Sequence, residues 1–283
     1  MALYRSNEST KVTGPFNAEM VDLLPPSLKF VCHNGAGYDN IDVPACTKKG
    51  IQVSNTPQAV DGATADTGIF LMLGALRLAN IPLTVLRQGQ WGNSQLPMAR
   101  DPYGKTLGIL GMGSIGRNMA NKARAFGMKI QYHNRSRLSP ELEGDAEYVD
   151  FKTLLATSDV LSLNLSLSKA TEHIIGREEL AMMKQGITIV NTARGKLIDE
   201  AALVDALNDG DRIWSVGLDV FENEPEVHPG LMGNPRVFLL PHIGTMTTET
   251  RVSFMLIKGD KPMRNDLDQN SLTSWNRELW SCW

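Results

Sequence analysis

The sequence predicts an α/β protein built on a doubly wound parallel sheet. The segment Gly104–Arg137 reads as strand, Gly-x-Gly-x-x-Gly turn, helix, strand. From Val160 to Leu240, short apolar runs alternate with helical patterns, the order that calls for parallel strands with helices on both faces. The chain has 283 residues, enough for one large domain or two ordinary ones.

The glycine-rich segment is the centre of the pattern. Thr106 to Leu110 is an apolar run short enough for a buried strand. The turn Gly111-Met112-Gly113-Ser114-Ile115-Gly116 follows. Arg117 to Phe126 then reads as a helix, with Ile115, Met119, Ala123 and Phe126 on one apolar face and Gly127 as its stop. Met128 to Tyr132 is the second strand. Gly111 permits the tight turn, Gly113 lets the backbone approach a pyrophosphate, and Gly116 lets the helix pack on the strand. The helix start at Ser114 and Ile115 offers unpaired N–H groups and partial positive charge to phosphates.

The end of the second strand bears on which dinucleotide binds. An NAD site places Asp or Glu about 20 residues beyond the glycines, on the ribose 2′-hydroxyl. Here that place holds Asn134, Arg135, Ser136 and Arg137. Two guanidinium groups with a hydroxyl between them suit a 2′-phosphate, and no carboxylate is there to repel it. NADP(H) is therefore favoured. An NAD(H) site beside a solvated basic turn stays open.

Composition narrows the function classes. The chain is 42% hydrophobic and 21% charged, ordinary for a globular protein with a core. A net charge of −3 gives no reason to expect nucleic acid or a membrane as partner. Three scattered cysteines (Cys32, Cys46, Cys282) show neither a disulfide framework nor metal-ligand spacing, so no metal is expected. With no apolar signal core in MALYRSNESTKVTG, they fit a reducing, cytoplasmic location.

The remaining elements follow in chain order. Ala2 to Tyr4 is a short strand, Asn17 to Leu24 a helix stopped by Pro25-Pro26, and Lys29 to Cys32 a strand followed by the loop His33–Tyr38. Val43 to Lys49 is a helical turn, and Ile51 to Ser54 a strand. One long helix is expected from Ala63 to Gln88. Being apolar nearly all round, it must be buried between domains or against a second subunit. Beyond the glycine segment come strands at Val160–Leu165, Ile187–Asn191, Ser215–Asp219 and Val237–Leu240, with helices at Glu178–Met183 and Glu200–Asn208.

In such sheets ligands sit at the carboxyl ends of the strands. Three consecutive strand ends carry Arg194, then Asp219 with Glu222 and Glu224, then His242. This set suits reduction of a 2-oxo acid. A guanidinium binds the carboxylate through paired hydrogen bonds and polarises the ketone. A protonated imidazole gives its proton to the oxygen, and a carboxylate behind it orients the ring and raises its pKa. Singly, each residue has an ordinary reading: a strand-end charge, a solvated loop acid, a structural histidine. Their joint position favours the functional one.

These residues resemble the D-isomer-specific 2-hydroxyacid dehydrogenases, in the fungal-type reductase branch. The resemblance rests on Asn34-Gly35-Ala36-Gly37-Tyr38-Asp39-Asn40-Ile41-Asp42, Gly111–Gly116, Asn191-Thr192-Ala193-Arg194-Gly195, Gly217-Leu218-Asp219-Val220-Phe221 through Glu224-Pro225, and Pro241-His242-Ile243-Gly244. It implies two Rossmann-like domains, with the cofactor domain (78–242) inserted in a substrate domain (1–77 and 243–283), a cleft between them and a helix pair crossing at the hinge. It implies Arg194, Glu224 and His242 as the catalytic three, with Glu224 rather than Glu222 behind the histidine. It also implies Asp219 at the nicotinamide amide, Thr64 at a cofactor phosphate, and the Gly35-Ala36-Gly37 backbone at the substrate carboxylate. A homodimer through the Ala63–Gln88 region is implied as well.

The chain departs from the family pattern in places. Relatives begin with a further strand and helix, so the substrate domain is expected to be truncated at its start. The tail Arg251–Trp283, with Gly259, Pro262, Trp275, Trp280 and Trp283, lacks the long amphipathic helix of the family. Ser166 stands where proline is common, and Asp66 falls within the buried helix. The reading that follows is an NADPH-dependent reductase of small 2-oxo acids such as glyoxylate or hydroxypyruvate. The alternatives are a dinucleotide-binding protein of the same fold with little turnover, and a dehydrogenase for bulky substrates of the mandelate type.

Overall fold

The computed structural model describes residues 1–91 and 95–250. The unusual tail lies outside the described residues. The chain divides into two compact units, one formed by Met1–Val60 with the chain from Met246, the other by Asp61–Thr245.

The first unit contains β1 (Ala2–Ser6), α1 (Thr10–Thr13), α2 (Ala18–Leu23), β2 (Phe30–Asn34), α3 (Val43–Lys48) and β3 (Gln52–Ser54). The strands pair in parallel in the order β1-β2-β3, with Leu3 opposite Val31 and Val31 opposite Val53. Asn17 and Asp42 start their helices by accepting the N–H of Met20 and Ala45 with their side chains, which satisfies donors left open in a first turn. Phe16, Val21, Leu28, Val31, Ile41, Cys46, Ile51 and Val53 form the core.

The second unit runs α4 (Asp61–Leu76), α5 (Asn80–Arg87), β4 (Thr106–Leu110), α6 (Ser114–Arg124), β5 (Lys129–His133), α7 (Pro140–Glu143), β6 (Glu147–Tyr148), α8 (Phe151–Thr157), β7 (Val160–Leu163), α9 (Arg177–Met182), β8 (Ile187–Asn191), α10 (Glu200–Asn208), β9 (Ile213–Leu218), α11 (Pro229–Met232) and β10 (Val237–Leu239). Its sheet is seven-stranded and parallel, ordered β10-β9-β8-β7-β4-β5-β6. β7 and β8 are buried along their whole length, as expected of strands covered on both faces. The chain leaves β4 in one direction through β5 and β6, then returns to run outward from β7. The switch point therefore falls between β4 and β7, beside the glycine turn.

Several expectations need correction. The helix expected from Ala63 to Gln88 is two helices, α4 and α5, bent by 74°. Leu78 takes φ 50°, while its N–H donates to Ala75 O and that of Ala79 to Gly74 O. This is a Schellman stop, which ordinarily uses glycine, so the leucine gave no signal of it. Asp66 is not buried: its carboxylate is exposed and pairs with Lys122 of α6 at 3.3 Å. Of the apolar face expected for this helix, Met119 and Ala123 are buried, but Ile115 is half-buried, and Phe126 lies beyond the end of α6 and is exposed. α4 packs within the second unit, against α6 and β8 to β10. No single described helix is long and apolar enough to cross a membrane.

Candidate active site

Adjacent parallel strands bring the three strand-end residues to one edge of the second unit. β8, β9 and β10 are neighbours, so Arg194, Glu224 and His242 leave the sheet in the same direction. The imidazole Nδ1 of His242 lies 2.7 Å from Glu224 Oε2. Glu224 Oε1 accepts the N–H of Phe221 at 3.0 Å, which fixes the carboxylate plane. Glu222, two residues earlier, faces away and meets His173 instead.

The electrostatics follow from this geometry. The hydrogen bond from Glu224 raises the His242 pKa; burial and the Arg194 charge oppose it without cancelling it. For Glu224 itself burial is the largest influence and pushes upward. The bonds from His242 and Phe221, with the His242 and Arg194 charges, still hold it below the usual range. Arg194 Nη1 donates to its neighbour's carbonyl, Ala193 O, at 2.7 Å. Asn191 secures the same turn, accepting the Ala193 N–H at 3.0 Å and donating to Arg194 O at 2.8 Å.

Asp219 is buried at the end of β9, and its two oxygens accept the N–H groups of Ile243 and Gly244, each at 2.8 Å. Burial raises its pKa, against those two donors. The carboxylate thus holds the loop on which His242 sits at φ 54°. Gly195 closes the site from below. A Cβ there would stand 1.8 Å from Phe221 C, so the Arg194 turn lies directly on the backbone that carries Glu224. Gly195→Ala is therefore expected to destabilise the protein by about 1–3 kcal/mol, seen as a lower urea midpoint.

The glycine turn has the form that a dinucleotide needs. Gly111 sits at φ 99°, open to glycine and strained for other residues. A Cβ on Gly116 would lie 2.5 Å from Gly111 O, which is the close approach of α6 to β4. At Gly113 nothing lies within 4 Å of a Cβ position, so its backbone faces open space. Ser114 is exposed at the start of α6, with Ile115 half-buried behind it. Thr64 Oγ1 is buried without a partner in the unit that holds this turn, and the Thr64 methyl stands 3.6 Å from a Cβ position on Gly244. An orphaned buried hydroxyl together with an open glycine backbone fits a phosphate-bearing cofactor.

At the end of β5, Asn134 Oδ1 accepts the Met112 N–H at 2.7 Å, so this side chain braces the glycine turn. Arg135 and Ser136 are exposed. Arg137 is held by Glu143 through two hydrogen bonds, at 2.9 and 2.8 Å. The expectation of a carboxylate-free basic cluster thus needs correction: Glu143 stands there and engages one of the two guanidinium groups.

In the first unit, the carbonyls of Gly35, Ala36 and Gly37 are taken by Thr56 N (3.0 Å), Asn55 Nδ2 (2.8 Å) and His33 Nε2 (2.9 Å). The N–H groups of the same three residues have no such backbone partner among the described residues. A loop with its carbonyls engaged and successive N–H groups unengaged is suited to an anion.

Residues 69–244 match the family model described as D-isomer specific 2-hydroxyacid dehydrogenase, NAD binding domain. The chain belongs to the D-isomer-specific 2-hydroxyacid dehydrogenases. 4-Methyl-2-oxopentanoate reductase A of Aspergillus oryzae is 67% identical over 257 residues, covering 91% of this chain and 78% of that protein. Glyoxylate reductase 1 of Saccharomyces cerevisiae is 47% identical, covering 87% and 72%. The crystal structure of a glyoxylate reductase from Paecilomyes thermophila superposes with a TM-score of 0.88 at 63% identity, covering 90% of this chain and 77% of that one. As a D-2-hydroxyacid dehydrogenase of the fungal type, the chain is an NAD(P)-dependent oxidoreductase, and each of its two units is an α/β body with a parallel sheet.

Sequence reasoning missed several residues in and around the candidate site. Asp61, at the start of α4, is buried, and burial raises its pKa while Ser114 of the glycine turn and the Arg117 charge oppose the rise. Glu143 and His173 were also missed, as were the contacts that Asn191 makes with the Arg194 turn and Glu222 makes with His173. Asn191 and Glu222 lie in motifs that the sequence displays, but their roles, like those of Asp61, Glu143 and His173, are recognised only by the partner that the fold brings to each.

Proposed function

We propose that this dehydrogenase reduces small 2-oxo acids to D-2-hydroxy acids with NADPH, with glyoxylate and hydroxypyruvate as the reference substrates. The observation that carries this reading is the 2.7 Å bond between His242 and Glu224 at the strand end next to Arg194. The nicotinamide cofactor, when bound, supplies hydride to the keto carbon. The chain's own residues do the rest. Arg194 binds the substrate carboxylate and polarises the ketone. His242 gives the Nε2 proton to the oxygen, because Nδ1 is committed to Glu224. Glu224 keeps the ring oriented and protonated. The N–H groups of Gly35, Ala36 and Gly37 bind the carboxylate. Thr64, Gly111, Gly113, Ser114, Ile115 and Gly116 hold the pyrophosphate, and Asp219 accepts from the nicotinamide amide.

The preference for NADPH rests on Arg135, exposed and without an ion pair among the described residues, flanked by Asn134 and Ser136. Arg137 contributes what Glu143 leaves unengaged. Arg135→Asp is expected to reverse the ratio of kcat/KM for NADPH over NADH, a loss of about 1.5–3 kcal/mol in phosphate binding. An unchanged ratio would mean that Arg135 does not reach the 2′-phosphate. A homodimer is supported by α5, which buries none of its residues and exposes Leu83 and Leu86. A cytoplasmic location rests on the scattered cysteines.

The relative named for 4-methyl-2-oxopentanoate favours a second reading, a pocket for branched aliphatic 2-oxo acids. One experiment tests both. NADPH consumption by the purified protein is followed with glyoxylate, hydroxypyruvate and 4-methyl-2-oxopentanoate, then repeated with NADH. The acid with the highest kcat/KM chooses between the substrates. No turnover on any of them, by folded protein that binds NADPH, would overturn the reductase reading.

A further inference from the structure

The loop after β9 carries two carboxylates that face opposite ways. Glu224 goes to His242, and Glu222 is built into a separate cluster. Glu222 Oε1 lies 2.8 Å from His173 Nε2. The Glu222 N–H donates to Glu200 Oε1 at 2.7 Å, and the Glu200 N–H returns to Glu222 Oε2 at 3.3 Å. Glu200 is buried in the first turn of α10. His173 comes from the segment between β7 and α9, where its N–H donates to Lys196 O at 2.8 Å. Its backbone takes φ 51°, a conformation that non-glycine residues hold only when their surroundings require it. Two separate segments, bearing His173 and Glu200, therefore converge on Glu222.

The cluster is mechanically continuous with the candidate active site. The Phe221 N–H fixes Glu224, and the Phe221–Glu222 backbone lies against Gly195, next to Arg194. Any shift of Glu222 must move the peptide on which both the acid and the guanidinium depend. Hydrogen bonds weaken steeply with misalignment, so a small displacement loosens the Glu224–His242 contact.

We propose that Glu222 is a positioning residue for 2-oxo acid reduction, locking the loop that sets Glu224 against His242. This rests on the reading of Glu224 and His242 as the proton-transfer pair. The groups facing Glu222 are His173 and Glu200, with the charges of His228 and Glu224 acting on Glu200. Burial and the Glu222 charge both push the Glu200 pKa upward, so the cluster contains two carboxylates in one pocket with one imidazole against them.

The test uses the full chain and compares wild type with Glu222→Gln and Glu222→Ala. For each, kcat for glyoxylate reduction is measured across pH, with the NADPH dissociation constant and thermal midpoint alongside. Glu222→Gln keeps the acceptor for Glu200 N–H, so it reports even if Glu222→Ala does not fold. We expect kcat to fall about tenfold or more in Glu222→Gln, and further in Glu222→Ala, with NADPH affinity retained. The alkaline limb of the kcat profile should move to lower pH, because His242 loses part of the bond that keeps it protonated. A merely structural role predicts a lower thermal midpoint with an unmoved limb and near-normal kcat in the folded protein, and that result overturns the proposal. His242→Ala, measured in parallel, separates the two claims. Full turnover in that variant removes the pair itself, whereas an inactive His242→Ala beside an unaffected Glu222→Gln removes only the positioning role.

Discussion

His242→Ala is expected to lower kcat for 2-oxo acid reduction by roughly two to four orders of magnitude, the usual contribution of a placed general acid. NADPH binding should be retained, because the imidazole is committed to Glu224 on one side and free for substrate on the other. The pH dependence has a definite sign. Reduction needs the imidazolium, and the Glu224 bond raises its pKa against burial. Activity should therefore stay level through the ordinary histidine value of about 6.5 and fall only as pH rises past the raised one. Oxidation of the hydroxy acid needs the neutral ring and should rise over that same interval. Glu224→Gln removes the charge behind the ring and should shift both limbs to lower pH. A histidine variant with wild-type turnover would remove this residue from the proton step.

Arg194→Lys is the second large effect. An ammonium keeps the charge but cannot make two parallel N–H contacts to a carboxylate. Losing one charge-assisted hydrogen bond of about 1.5–3 kcal/mol corresponds to a drop in kcat/KM of about 10- to 150-fold. Because the charge near His242 is preserved, the alkaline limb should stay in place, which distinguishes geometry from electrostatics. Near-normal efficiency in the lysine variant would show that paired binding is not what Arg194 does.

What could be read from the sequence depended on whether the information was local. The glycine turn and the strand-end positions of Arg194, Asp219 and His242 were legible, because a parallel sheet fixes where a strand end must lie. The choice between Glu222 and Glu224 was not legible from spacing. Both sit in one loop, and which way each side chain faces depends on the path of its backbone over Gly195. The break at Leu78 was hidden because a Schellman stop at leucine leaves no composition signal. The pairing of Arg137 with Glu143 was hidden because the partner lies across a turn and a short helix.

That last pair bears on how readily cofactor choice could drift. On the proposed reading, Glu143 draws Arg137 partly aside and leaves Arg135 as the principal contact for a 2′-phosphate. Selectivity is then governed by a residue that need never touch the ligand. A change at Glu143 would release a second cation without disturbing the glycine turn, so neighbouring variants can slide along a graded scale of NADPH preference while the catalytic edge stays intact.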